Sequence, residues 1–203
     1  MGTPHIAAIL AFGILQAPQK TDIGEYTLPQ LPMWQKRPIE NHKFVQLVKY
    51  DRTVDGIPLM LKFTLMRRPK ELKPWTANDL RKNEAFRKKL LEGMKSKLPG
   101  FKVDTLISRE TSFHGHPAMF NHLRFFDENK PNSEAKTLTF ATARYDYILS
   151  VSAGRLPITP KAETAMDEGL KTMMEGLTSV QESPSGHGRR KLRTASIQYY
   201  SGH

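Results

Sequence analysis

The apolar residues in the second half of the chain fall on alternate positions. Phe101, Val103, Thr105, Ile107, Thr111 and Phe113 alternate with Lys102, Asp104, Ser108, Glu110 and Ser112, which is the period of a strand with one dry and one wet face. Met119 to Phe126 reads as its partner, and the polar run Asp127 to Ser133 as a loop. Beyond it the parity changes: Leu138 and Phe140 are even-numbered, whereas Tyr145, Tyr147, Leu149 and Val151 are odd. A slip of one residue would turn a continuous strand inside out, so a turn near Arg144-Tyr145-Asp146 must separate two strands.

The first half adds a hairpin. Phe44–Tyr50 and Ile57–Leu65 are rich in β-branched and apolar residues and flank Asp55-Gly56, a dipeptide suited to the positive φ angles of a tight hairpin turn. Upstream, Pro29, Pro32 and Pro38 keep the entry irregular, because proline lacks a ladder donor and restricts its predecessor.

Two helices interrupt this β pattern. After Lys73-Pro74-Trp75, Thr76 or Asn78 can cap a helix in which Leu80, Phe86, Leu90, Leu91, Met94 and Leu98 recur mostly at three- and four-residue steps, ending at Pro99-Gly100. The second has Thr159 as N-cap, Pro160 in the first turn, and Ala162, Met166, Leu170, Met173, Met174 and Leu177 on one face. The expected class is therefore α+β: an antiparallel sheet with two main helices packed on it, in the order β-β-β-α-β-β-β-β-α.

At 203 residues and 23.1 kDa the chain has room for one domain. Its ends differ in composition from the middle. Ile6 to Leu15 is an uncharged apolar run, too short to span a bilayer but of signal-peptide length. Residues 1–20 are accordingly expected to be a signal peptide or apolar anchor, 21–178 the domain, and 179–203 a disordered basic tail. Export to a periplasmic, secreted or membrane-anchored location follows, with a packed N-terminal element of a cytoplasmic protein as the alternative.

The net charge of +11 is uneven: residues 62–97 carry twelve Lys/Arg against four Asp/Glu. Arg81, Lys82, Arg87, Lys88, Lys89, Lys95 and Lys97 outline a basic helix face, and Arg189, Arg190, Lys191 and Arg193 a basic tail. Such fields attract anionic partners, including lipid headgroups and nucleic acid. Only Trp75 and Phe86 supply aromatic rings near the basic face, so a sequence-reading nucleic-acid module is not indicated.

The absence of cysteine excludes disulfides, thiolate metal sites and cysteine nucleophiles. His114, His116 and His122 form the one candidate metal constellation, but Gly115 and Pro117 between and after the first two are what a turn between strands requires. A hairpin corner and no metal is the expectation. No nucleophile elbow, phosphate loop or paired-carboxylate motif is present. His42, Asp51, Asp55, Asp127 and Asp146 are scattered titratable residues without catalytic spacing. The sequence points to a non-enzymatic protein without a cofactor.

Four short stretches together resemble the PsbP/DcrB-like family: Gly24-Glu25-Tyr26-Thr27-Leu28-Pro29 with Trp34 soon after, Leu98-Pro99-Gly100-Phe101, Gly115-His116-Pro117-Ala118, and Tyr147 to Ala153. The resemblance covers residues 24–177. It implies a mostly non-enzymatic domain that binds partners through its sheet or helix surface. The apolar N-terminal run is similar to that of the exported DcrB-type branch and implies an accessory protein-binding role. The alternative within the family is a cytosolic Eag-type chaperone that shields apolar helices of a secreted effector.

Overall fold

The computed structural model describes residues 21–180 except 69–71, 74, 98, 99 and 129. The expected leader, the basic tail beyond Val180 and the helix-ending Leu98-Pro99 lie outside the described residues. Short strands β1 (Thr21–Ile23), β2 (Tyr26–Leu28), β3 (Gln35–Lys36) and β4 (Glu40–Asn41) precede the long hairpin of β5 (Val45–Val54) and β6 (Ile57–Arg67). Helix α1 (Ala77–Lys97) leads to the meander β7 (Lys102–Phe113), β8 (His116–Asp127), β9 (Lys130–Ala141) and β10 (Tyr145–Ala153), followed by α2 (Pro160–Gly176) and β11 (Thr178–Ser179).

Among the described residues the strands form two sheets. The large one has the order β3-β5-β6-β10-β9-β8-β7, with β4 also on β5, and the small one is β1-β2-β11. Every pairing is antiparallel. The α+β class is thus as the sequence indicates. The meander closes onto the first hairpin through β10, which lies between β6 and β9.

Both expected hairpin turns form. Asp55 and Gly56 have φ of 50° and 74°, and His114 and Gly115 have 50° and 78°, so each is a two-residue turn with both residues left-handed. The second turn sits one step earlier than Gly-His-Pro-Ala suggests: Phe113 pairs with His116, and Pro117 lies within β8 opposite Ser112. The parity change is also real, since Thr142 N–H donates to the Tyr145 carbonyl at 2.9 Å between β9 and β10. The polar run Asp127 to Ser133, by contrast, is not a seven-residue loop. Lys130 already pairs with Asp127, and a register irregularity before Asp127 absorbs the mismatch.

The main core lies on one face of the sheet. Leu59, Leu61, Phe63 and Leu65 of β6 and Tyr147, Leu149, Val151 and Ala153 of β10 are buried together with Ala162, Ala165, Met166, Leu170 and Met173 of α2. The Thr159 side chain accepts the Ala162 N–H and caps α2. An aromatic cluster closes one end: the Phe140 and Tyr147 rings stack at 4.9 Å, and Tyr26 meets Tyr147 edge-on at 5.1 Å. The Tyr147 hydroxyl accepts the Glu25 N–H at 3.0 Å, tying the small sheet to the large one. Burial raises the Tyr147 hydroxyl well above its ordinary pKa, so it stays protonated.

A second, smaller core holds α1 on the opposite face. Leu80, Val103, Met119 and Leu123 are buried there, outside the main cluster, and α1 lies against β7 and β8. The predicted alternation of β7 survives only at its ends. Val103 and Phe113 are buried, but a register shift between Thr105 and Ile107 moves the middle of the strand across faces and leaves Leu106 and Ile107 exposed.

Trp34 is buried against α2 at Gly169, where an added Cβ would come within 2.5 Å of the indole. Gly169→Ala, which would stabilise an exposed helix by about 1 kcal/mol, is expected to lower stability here because the ring must move. Urea unfolding of the variant checks this; an increase in the midpoint would contradict the packing.

Candidate functional site

The structure separates the three histidines. His114 and His116 sit at the β7–β8 turn, where the His114 ring packs on Phe113 at 4.3 Å and on Tyr26 at 5.4 Å. His116 stacks on Phe140 at 6.5 Å. Burial holds both imidazoles below their ordinary pKa. His122 lies six residues further along β8, roughly 20 Å away at strand rise. Among the described residues no group of three His, Cys, Asp or Glu side chains is placed to hold a metal.

His122 belongs instead to a polar cluster on the α2 side of β8 and β9. Glu134 is fully buried; its carboxylate meets His122 Nε2 at 2.5 Å and accepts from Arg124 Nε at 2.6 Å. Beside it Lys136, 6% exposed, donates to Asp167 of α2 at 2.6 Å. Burial alone would raise the Glu134 carboxyl, but the hydrogen bonds from Arg124 and His122 outweigh it and hold the carboxyl below the usual carboxylate range. Alternation in β9 places Glu134 and Lys136 on the same side as Leu138 and Phe140. That pattern was available in the sequence; the partners on another strand and on α2 were not.

The remaining titratable candidates are apart and held by structural partners. Asp51 pairs with Arg37, Asp146 with Arg68, and Asp55 accepts from Thr159 at 2.8 Å. Asp127 and His42 lie at the strand ends of other hairpins.

The basic helix face is less uniform than its sequence. Leu80, Glu84, Arg87 and Leu91 share the side of α1 turned to the sheet, because four- and three-residue steps return to one face. Leu80 is buried, and Glu84 accepts from Ser108 of β7. Arg87 therefore points inward, paired with Glu84 at 2.5 Å. Arg81 reaches sideways to Glu110 of β7 at 2.7 Å. Lys82, Lys88, Lys89 and Lys97 are exposed, and the Lys95 side chain lies outside the described residues.

Phe86 and Leu90, expected in the apolar stripe, are 67% and 55% exposed. At 100° per residue both fall on the side of α1 away from Arg81, Leu90 level with the helix axis and Phe86 turned away from the sheet.

Below that flank, no helix among the described residues packs closely on this face of the large sheet. Successive registers define its open face row by row. One row is Leu47, Thr64, Ile148 and Thr139; the next is Lys49, Lys62, Ser150, Thr137 and Asn121; the third is Asp51, Met60, Ser152 and Ala135. Apart from Asn121, these side chains are half-buried. Asn121, 3% exposed, has no hydrogen-bond partner for Oδ1 among the described residues. At one end Arg68 donates to Asp146 at 2.6 and 2.9 Å and lies 5.7 Å from the Trp75 ring.

No protein-family model matches the chain, and no curated protein does. Among solved structures, it is similar to PA94 from Pseudomonas aeruginosa, a protein of unknown function, at 17% identity and a TM-score of 0.41, covering 73% of this chain and 96% of that one. It is also similar to LpqN of Mycobacterium tuberculosis, involved in cell envelope biogenesis, at 16% identity and a TM-score of 0.39, covering 78% and 89%. Among the described residues no helix is long and apolar enough to cross a membrane.

Two pH windows follow from the shifted groups. Because the folded-state pKa values of His114 and His116 are depressed, their contribution to stability is present above the ordinary imidazole value of about 6.5 and is lost as pH falls below it. Glu134, also depressed, contributes above the unfolded carboxyl value and is lost as pH falls through its folded one. Urea midpoints against pH should show both steps. His114→Asn with His116→Gln is expected to flatten the upper step, and Glu134→Gln the lower, the latter also costing about 2 kcal/mol at neutral pH.

Proposed function

We propose that this chain is a non-enzymatic protein-binding domain of the PsbP/DcrB-like type, and that it holds a segment of its partner on the open face of the large sheet. The supporting observation is unequal coverage. Among the described residues, α2 packs on the face carrying the main core, whereas α1 packs chiefly on β7 and β8 of the other. Half-buried Leu47, Met60, Met66 and Ile148 floor the rest, and exposed Leu90 stands on the flank of α1 away from Arg81.

The dimensions suit one helix. Four strands about 4.8 Å apart give a floor roughly 15 Å wide, and a helix with its side chains is about 10 Å across. α1, with 21 residues, is about 31 Å long and supplies a wall of matching length.

Ile6 to Leu15 supports an exported or membrane-anchored accessory protein. The uncovered face equally suits a cytosolic chaperone that shields helices of a secreted effector. Mass spectrometry of the chain from fractionated source cells separates the two: a cleaved or envelope-associated chain supports export, and an intact cytosolic chain supports the chaperone.

The binding surface is tested with a labelled amphipathic helical peptide of about 20 residues, by fluorescence anisotropy. Ile148→Arg on the floor should weaken binding at least about tenfold, while Glu168→Arg on the exposed side of α2 should leave it unchanged. Equal effects, or no binding to the unsubstituted chain, would overturn this assignment.

A further inference from the structure

Lys62 stands near the middle of the open floor. It pairs in register with Lys49 on one side and Ser150 on the other. Lys49 is already committed to Glu40, its Nζ donating at 2.6 Å. Lys62 makes no ion pair among the described residues, although Glu40 feels its charge. The row continues through Ser150 and Thr137 to Asn121, so a polar band crosses the sheet at right angles to the strands. More apolar rows flank it, with Leu47 and Ile148 on one side and Met60 and Ala135 on the other.

A helix lying along the floor beside α1 must cross this band. Covering Lys62 with apolar atoms alone would strip water from an ammonium group and leave only Glu40, already bonded to Lys49, to compensate it, an expensive step. A carboxylate at the crossing point would pair with it, and the Ser150 and Thr137 hydroxyls stand alongside to donate to the second oxygen. The floor therefore discriminates against a wholly apolar segment and favours one with a single acid set between apolar turns. A flat bilayer is a poor alternative occupant, since the overhanging α1 holds it away from Lys62.

On the reading that the open face binds a partner helix, we infer that the face selects an amphipathic helix whose apolar stripe is interrupted near its midpoint by an Asp or Glu, and that Lys62 recognises that side chain. Lys62 is the specificity-determining residue of the site. Its half-buried place on a central strand makes charge reversal there a surface change rather than a core one.

The experiment uses four synthetic peptides of about 20 residues, identical except for Glu, Gln, Leu or Lys at the centre of the apolar stripe, titrated against the full chain by anisotropy. The central-Glu peptide should bind about tenfold or more tightly than the central-Leu peptide, and the gap should narrow as salt is raised. Lys62→Glu should reverse the order in favour of central Lys, and Lys62→Met should favour central Leu, with thermal melts confirming that both variants are folded. Binding that ignores the central residue, or an order unchanged by Lys62→Glu, overturns the inference and leaves the open-face reading standing. Failure of all four peptides to bind the unsubstituted chain overturns both.

Discussion

Burial of β10 between β6 and β9 is the constraint on which the rest of the structure depends. Tyr147, Leu149, Val151 and Ala153 are all fully buried beneath α2, and the same strand joins the first hairpin to the meander. Four antiparallel steps separate β6 from β7, so these two strands run parallel and need a crossover. That crossover is α1, and it lies on the face α2 leaves free. Because it reaches the far edge and settles over β7 and β8, the strands between have a helix packed closely on one side only among the described residues.

Polar groups are distributed differently on the two faces. On the α2 side, Glu134 and Lys136 are buried but paired with His122, Arg124 and Asp167, so the cost of removing their charges from water is offset by hydrogen bonds. On the open side, Lys62, Ser150 and Thr137 remain half in water. The first arrangement fixes the register of β8 and β9 and the position of α2.

Much of the fold was legible locally. Asp55-Gly56 set one hairpin, Thr159-Pro160 started α2, and the parity change between Phe140 and Tyr147 placed a turn, since each is a property of a few neighbouring residues. The helix face was misjudged for a physical reason: Leu80 and Leu91 share one side of α1 while Phe86 and Leu90 share another, and a spacing of three or four residues does not say which side meets the sheet. The three histidines are close in sequence, but closeness along a strand is still distance in space, and His122 lies far from the turn that carries His114 and His116. The polar row was not legible at all, since Lys62, Ser150, Thr137 and Asn121 come from four strands and meet only through their registers.

The sequence by itself determined the α+β class, the hairpin turns, the N-cap of α2 and the alternation that buries one side of each central strand. These follow from backbone preference and hydrophobic period, which act over a few residues. Only the tertiary structure decided which face α1 covers, where Phe86 and Leu90 point, and that a polar band crosses the face opposite α2. Those depend on strand order and on pairing between distant segments, and no local pattern specifies the neighbour a strand will find.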